Sequence, residues 1–374
     1  MKCSSRWSST LGRLRAAGTF LPAVARCAKV AVPAAIALTV VSSLSAQTPR
    51  VPRARLIPAS RLQLPGDIDS NNPAVWSLVD GVYRLFVISS WGGVPTRSSG
   101  TALTALRLEG PVGFRTHPGH GVWIESIVPD DTGMWYAYYH HERDAGACGR
   151  PDRQLPRIGA LRSPDRGMTW HDLGIILDAP AGTAACESAN RFVLGGVGDV
   201  TAALDAAKRD VYLYFSQYSR DPSAQGVAVT RLAWAHRDEP VGKLFIWRDG
   251  VWLPDSQIAG TPLVRASEPF HDRSTASDVF WGPSIHWNTY LDQYVMLLNR
   301  AKDDEFNQDG IYASYSPTLA DPAQWTVPVK IMHGGTWYPQ VVGTEIGTGT
   351  DRRAGKRARF FMTGRSDRVI DFQR

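Results

Sequence analysis

Cysteine is scarce, with four in 374 residues. The two that lie beyond residue 46, Cys148 and Cys186, are too few and too widely spaced for a zinc site. Helical periodicity is nearly absent. The one run of helix formers, AALDAAK at 202–208, is short and falls where a turn is expected. A long apolar run is also missing. A membrane span needs about 20 apolar residues, whereas VAVPAAIALTVV at 30–41 is shorter and contains Pro33. Beyond residue 46 there is no surplus charge of either sign. Of the 41 basic residues, Lys2, Arg6, Arg13, Arg15, Arg26 and Lys29 precede residue 47, and no acid accompanies them. The remainder carries 35 of each sign, which leaves no basic footprint for nucleic acid or an anionic surface.

The basic stretch, the apolar run and the small residues SSLSA form the three parts of an export signal. The expectation is a signal peptide over 1–46, cleaved after Ala46, and a periplasmic or extracellular protein. In an oxidising compartment the remaining pair, Cys148 and Cys186, most simply forms one disulfide.

Residues 47–374 read as one all-β domain that repeats itself. Five segments share a short apolar strand, a polar turn and an aromatic-rich strand. They are NPAVWSLVDGVYRLFVISS (72–90), ESIVPDDTGMWYAYYHHE (125–142), DVTAALDAAKRDVYLYFSQYS (199–219), PSIHWNTYLDQYVMLLNRA (283–301) and a fifth at 339–364. Third strands are expected at 101–108, 157–163, 226–234 and 310–316. Repeats of this length predict a five-bladed β-propeller, with a β-sandwich as the competing fold. The blades fall near 69–108, 121–177, 196–257, 278–328 and 336–374. Residues 53–64 supply the strand that closes the ring.

The stretch SPDRGMTW at 163–170 sits on a turn between two strands of the second blade. Its Asp165 can take backbone N–H groups, Gly167 supplies a positive φ, and Trp170 packs beneath. Ser163, Asp165, Gly167, Thr169 and Trp170 resemble the Asp-box of sialidases and other sugar-binding propellers, which implies a scaffold role on the outer rim. A weaker echo lies at 314–325.

Polar residues at the start of each repeat converge on a propeller's axis. They are Asp67 and Asp69, Glu125, Asp199, Asp278 with Trp281, and Trp337. Carboxylates aimed at one point raise one another's pKa and divide into an acid and a base, as glycosidic cleavage requires. This layout resembles five-bladed glycoside hydrolases of the arabinanase, β-xylosidase and invertase type, and bacterial exported propellers related to them. The resemblance implies a catalytic trio of Asp69 as base, Asp199 as the second Asp and Glu125 as acid. Glu142, Glu187 and Glu268 rival Glu125. Asp67, His140, His141, Glu142, Asp278, Trp281, His286 and Trp337 are expected to bind substrate. No metal ligand set is read from the residues. The resemblance admits a structural calcium on the axis, with a histidine such as His286 beside it. The implied partner is a carbohydrate, for a monomeric chain with no nucleic acid and no membrane span after cleavage. The alternatives are a non-catalytic carbohydrate-binding propeller and a sialidase-like hydrolase.

Overall fold

The computed structural model describes residues 51–374, apart from 120, 181, 255–257, 272–275 and the side chain of Ala147. The signal expected over 1–46 lies outside the described residues. The described chain is all-β, with five short 3₁₀ turns as its only helical pieces. No helix among the described residues is long and apolar enough to cross a membrane. It is a five-bladed β-propeller.

Each blade runs from an innermost strand outward by antiparallel hairpins. Blade I comprises Ala74–Val79, Val82–Trp91, Val94–Gly100 and Arg107–Pro111. Blade II comprises Val122–Pro129, Trp135–His141, Arg157–Ser163 and Thr169–Leu177, with Gly113–Thr116 added in parallel at its rim. Blade III comprises Val197–Leu204, Asp210–Gln217, Gly226–Ala233, Leu244–Arg248 and Val251–Leu253. Blade IV comprises Phe280–Asn288, Gln293–Ala301, Gln308–Ser316 and Val329–His333. Blade V takes Pro339–Gly343, Arg357–Met362 and Arg365–Gln373 from the end of the described chain. Its outermost strand, Arg53–Gln63, comes from the beginning and pairs with Arg365–Gln373.

The second strands show why the chain forms blades rather than a half-solvated sheet. Trp135–His141 is buried at every position, and so are 211–217. Strands apolar on both faces need cover on both faces, which neighbouring blades supply. Five wedges of side chains fill the gaps. Between blades I and II sit Phe86, Ile88, Trp135 and Trp170. Between II and III sit Tyr138, Ile158, Val200 and Phe215. Tyr214 and Met296 lie between III and IV, Val295 and Phe360 between IV and V, and Leu85 and Phe361 between V and I.

One strand differs from expectation. The third strand of blade I is Val94–Gly100, not 101–108. Gly92 and Gly93 have φ of 54° and 74°, so they turn the chain in two residues and start the strand early. Residues 103–105 form a 3₁₀ turn, and Arg107–Pro111 is the outer strand.

The turn at 163–170 lies between the third and fourth strands of blade II. Asp165 Oδ1 accepts from Thr169 N and Ser163 Oγ, both at 2.8 Å, and Oδ2 accepts from Thr169 Oγ1 at 2.6 Å. These bonds outweigh burial and hold the Asp165 carboxyl below its usual range. Trp170 is fully buried beneath, against Gly167. Arg97 of blade I donates to the Arg166 carbonyl at 3.1 Å, tying the turn to the next blade. Asp165→Ala removes three charge-assisted bonds and should destabilise the chain by about 2–3 kcal/mol. Urea unfolding that showed a loss below about 0.5 kcal/mol would mean the turn holds without its carboxylate.

Candidate active site

An open pocket of about 490 Å³ sits where the upper ends of the blades meet. It is lined by Asp69, Trp123, Glu125, His140, Glu142 and Tyr338 among others. A smaller recess of about 80 Å³ adjoins it and adds Asp199, Tyr218 and Trp281. A larger cleft of about 830 Å³ runs along blade V, but no acid lines it.

The backbone aims the three carboxylates. Asp69 lies in the loop before the inner strand of blade I. Its Oδ1 accepts from Trp123 Nε1 at 2.6 Å and its Oδ2 from Gly92 N at 3.3 Å. Glu125 and Asp199 sit on the inner strands of blades II and III. The pairing register slips between Ile124 and Ser126, and again between Gly198 and Val200. Each carboxylate is therefore carried by a bulge residue, a device that turns one side chain out of the regular pleat. Asp199 also has φ of 44°, a left-handed conformation that aspartate tolerates and that is common at functional sites.

Glu125, His140 and Asp199 are all buried, and each places one polar atom within 4.8 Å of the others. Glu125 Oε2 accepts from Val200 N, and Asp199 Oδ2 accepts from the Tyr218 hydroxyl. His140 Nδ1 is 3.6 Å from Asp199 Oδ1 and 3.3 Å from Asp199 N. The trio could in principle clasp a cation. One oxygen of each carboxylate, however, already accepts from the chain, and the imidazole of His140 sits beside both.

Burial, then the neighbouring Asp199, pushes the Glu125 carboxyl well above its usual range. Burial alone would lower His140, but Asp199, Glu125 and Glu142 together hold its pKa at about 9. Burial raises Asp69, although Trp123 and Gly92 pull against it. Burial also raises Glu142, whose Oε1 is 4.0 Å from His140 Nε2. Burial thus pushes three carboxyls of the site toward their proton-bearing forms, while the acids around His140 favour its charged form.

Several expected residues fall elsewhere. Asp67 is exposed, while Asp69, two residues on, lines the pocket. His141 follows His140 on a strand, so it points to the opposite face. There Arg157 Nε donates to its Nδ1 at 3.3 Å, and burial followed by the Arg157 charge lowers its pKa to about 4. Asp278 caps a loop, accepting from Ser267 N and Glu268 N at 2.9 Å each. Trp281 is buried, lining only the small recess, 5.6 Å from Trp337, which faces the pocket itself. Glu187 and Glu268 are exposed and outside it. His286 lies against Phe372 of blade V, not on the axis. Its Nε2 has no hydrogen-bond partner, and burial is the one influence on its pKa. With no carboxylate facing it, this position does not fit a hard cation such as calcium, which takes six to eight oxygens.

Sequence reasoning missed Trp123 and Tyr218, while Tyr338, read beside Trp337, lines the pocket. Tyr218 follows the second strand of blade III as Glu142 follows that of blade II, so comparing repeats would have found it. The disulfide joins Cys148 to Cys186. It ties together two loops that each reach the pocket, through Gln154 and Phe192. Between these loops, Gln154 N donates to the Phe192 carbonyl at 3.0 Å, and Leu194 N donates to the Gln154 carbonyl at 3.0 Å.

No protein-family model matches the chain, and no curated protein matches it. Among solved structures it is similar to an endo-arabinase from Bacteroides thetaiotaomicron, at 13% identity over 84% of this chain and 95% of that one, with a TM-score of 0.48. It is similar to the catalytic domain of an α-L-arabinofuranosidase from Coprinopsis cinerea, at 10% identity over 85% and 97%, with a TM-score of 0.44. It is also similar to a family 117 glycoside hydrolase from Zobellia galactanivorans, at 11% identity over 85% and 90%, with a TM-score of 0.46.

His286 gives a prediction about acid stability. In the unfolded chain it takes a proton near pH 6.5, whereas burial holds the folded group down to about 3. Between those values the unfolded chain binds more protons, so acidification costs stability. His286→Gln should weaken that dependence. Denaturant midpoints measured from pH 7 to 4 would show it, and equal slopes for both proteins would remove His286 as a cause.

Proposed function

We propose that the protein is an exported glycosidase that cleaves a poly- or oligosaccharide by carboxylate acid/base chemistry. The observation that carries this reading is the convergence of Asp69, Glu125 and Asp199, from three different blades, on one open pocket. Nothing in the packing of a propeller requires such a cluster. Glu125, buried and raised, suits the group that protonates the leaving oxygen. Asp69 is held by Trp123 and Gly92 at the mouth of the pocket and suits the base that activates water. Asp199 lies between Glu125, His140 and Tyr218 and tunes the acid. Trp337 and Phe192, 5.4 Å apart edge to face, offer apolar surface to a sugar ring. The Cys148–Cys186 bond supports folding in an oxidising compartment.

A sialidase would need cationic groups for its carboxylated substrate. Among the described residues, no arginine or lysine lines the pocket. The test is release of reducing sugar from arabinan, xylan, fructan and sialylated substrates. Asp69→Asn and Glu125→Gln should each lower kcat/KM by at least about 10²-fold with melting temperature retained. An unaltered rate in Asp69→Asn would remove it from the mechanism. Glycan binding without release of sugar by any variant would make the pocket a recognition site.

A further inference from the structure

Among the described residues, His140 is the one basic side chain that lines the pocket, and its surroundings are built around it. Four carboxylates face it from three blades: Asp69 of blade I, Glu125 and Glu142 of blade II, and Asp199 of blade III. Its ring lies on Gly198, where a Cβ would come within 2.8 Å of it. Its other side meets Trp123 at 5.6 Å between centroids, and that same indole holds Asp69. The remaining titratable neighbours are His141 on its own strand and, beyond Asp199, Tyr218 and Tyr338. The sequence reading placed His140 among substrate-binding residues. Yet the ring is 7% exposed, and its Nδ1 faces Asp199 rather than open space.

Resting on the glycosidase reading, we propose that His140 is a positioning residue that holds Asp199 beside Glu125 and so keeps Glu125 the proton donor. Glu125 and Asp199 offer polar atoms within 4.8 Å of one another, and only the form with a proton on Glu125 can donate to a leaving group. A cation against Asp199 selects that form. In the charged state, Nδ1–H points at Asp199 Oδ1. In the neutral state, Nδ1 accepts from Asp199 N. Either way the ring stays on the same residue, and its protonation decides which carboxyl holds the proton.

The test has two arms. In the first, the pH profile of hydrolysis is measured for wild type, H140Q and D199N. Removing His140 takes away the cation that stabilises the ionised acids, so both limbs of the H140Q profile should move to higher pH by about one unit. Its kcat should fall at least about tenfold with KM nearly constant. D199N removes the charge that raises Glu125, so its alkaline limb should move to lower pH. Limbs that stay in place in H140Q, or limbs that move the same way in both variants, would overturn the proposal. So would activity that is abolished by a chelator and restored by a divalent ion.

The second arm needs no turnover. The imidazole of His140 is titrated by NMR in wild type and in D199N. The expected midpoint lies near 9 in wild type, where the carboxylates hold it, and falls by about one unit or more in D199N. A wild-type midpoint near the ordinary 6.5 would overturn the assignment whatever the enzyme hydrolyses. If wild type releases no sugar but His140 titrates as expected, the glycosidase reading fails and the charge arrangement stands.

Discussion

The inner strand of a propeller blade has a bare edge facing the axis, and the fold depends on how that edge is satisfied. Here each blade lends a polar side chain to the next. Ser90 accepts from Ile124 N, Ser126 from Ala202 N and Thr201 from Ile285 N. Ser284 then donates to the Pro339 carbonyl, and Gln340 accepts from Asn72 N to close the circle. Buried backbone groups left without partners would be costly, so a belt of small polar residues replaces the missing strand. Because the belt fixes the five inner strands against one another, it also fixes the residues carried at their upper ends.

The site uses that rigidity. Glu125 and Asp199 are on adjacent inner strands, and Ser126 and Ala202 bond across the same gap. Two acids held this close, in a place where water reaches one side only, cannot both ionise freely. The bulges that carry them and the left-handed backbone at Asp199 are departures from regular strand geometry. Bulges occur in other blades as well, at Trp281–Ser284 and Phe360–Met362 for example, but the two at Glu125 and Asp199 carry acids into the pocket.

Much of the fold was legible because blades announce themselves. Strands buried on both faces read as aromatic runs, and the turns between them carry Gly, Asp and Asn. Four of the five inner strands start beside a conspicuous acid or aromatic. The site was legible only in part, since strand parity decides more than residue type. Asp69 and Asp67 look alike in the sequence, yet only Asp69 meets Trp123. His140 and His141 are neighbours that face opposite ways. Asp278 looked axial but is consumed by the backbone of 267–268, and His286 faces a neighbouring blade. The early strand of blade I turned on two glycines that read as loop. The bulges at Glu125 and Asp199 leave no mark on the sequence at all, because any residue can occupy one.

The outermost strand of blade V joins the two ends of the described chain. Arg53 pairs with Gln373 and Leu62 with Ser366, partners far apart in the sequence. Contacts of such sequence separation make folding slow. Blades I to IV take their antiparallel strands from one continuous stretch each, whereas blade V is completed only when two distant segments meet. The ring is therefore closed by a contact between distant segments, and loss of either strand would leave a sheet edge of blade V unpaired and open to another chain.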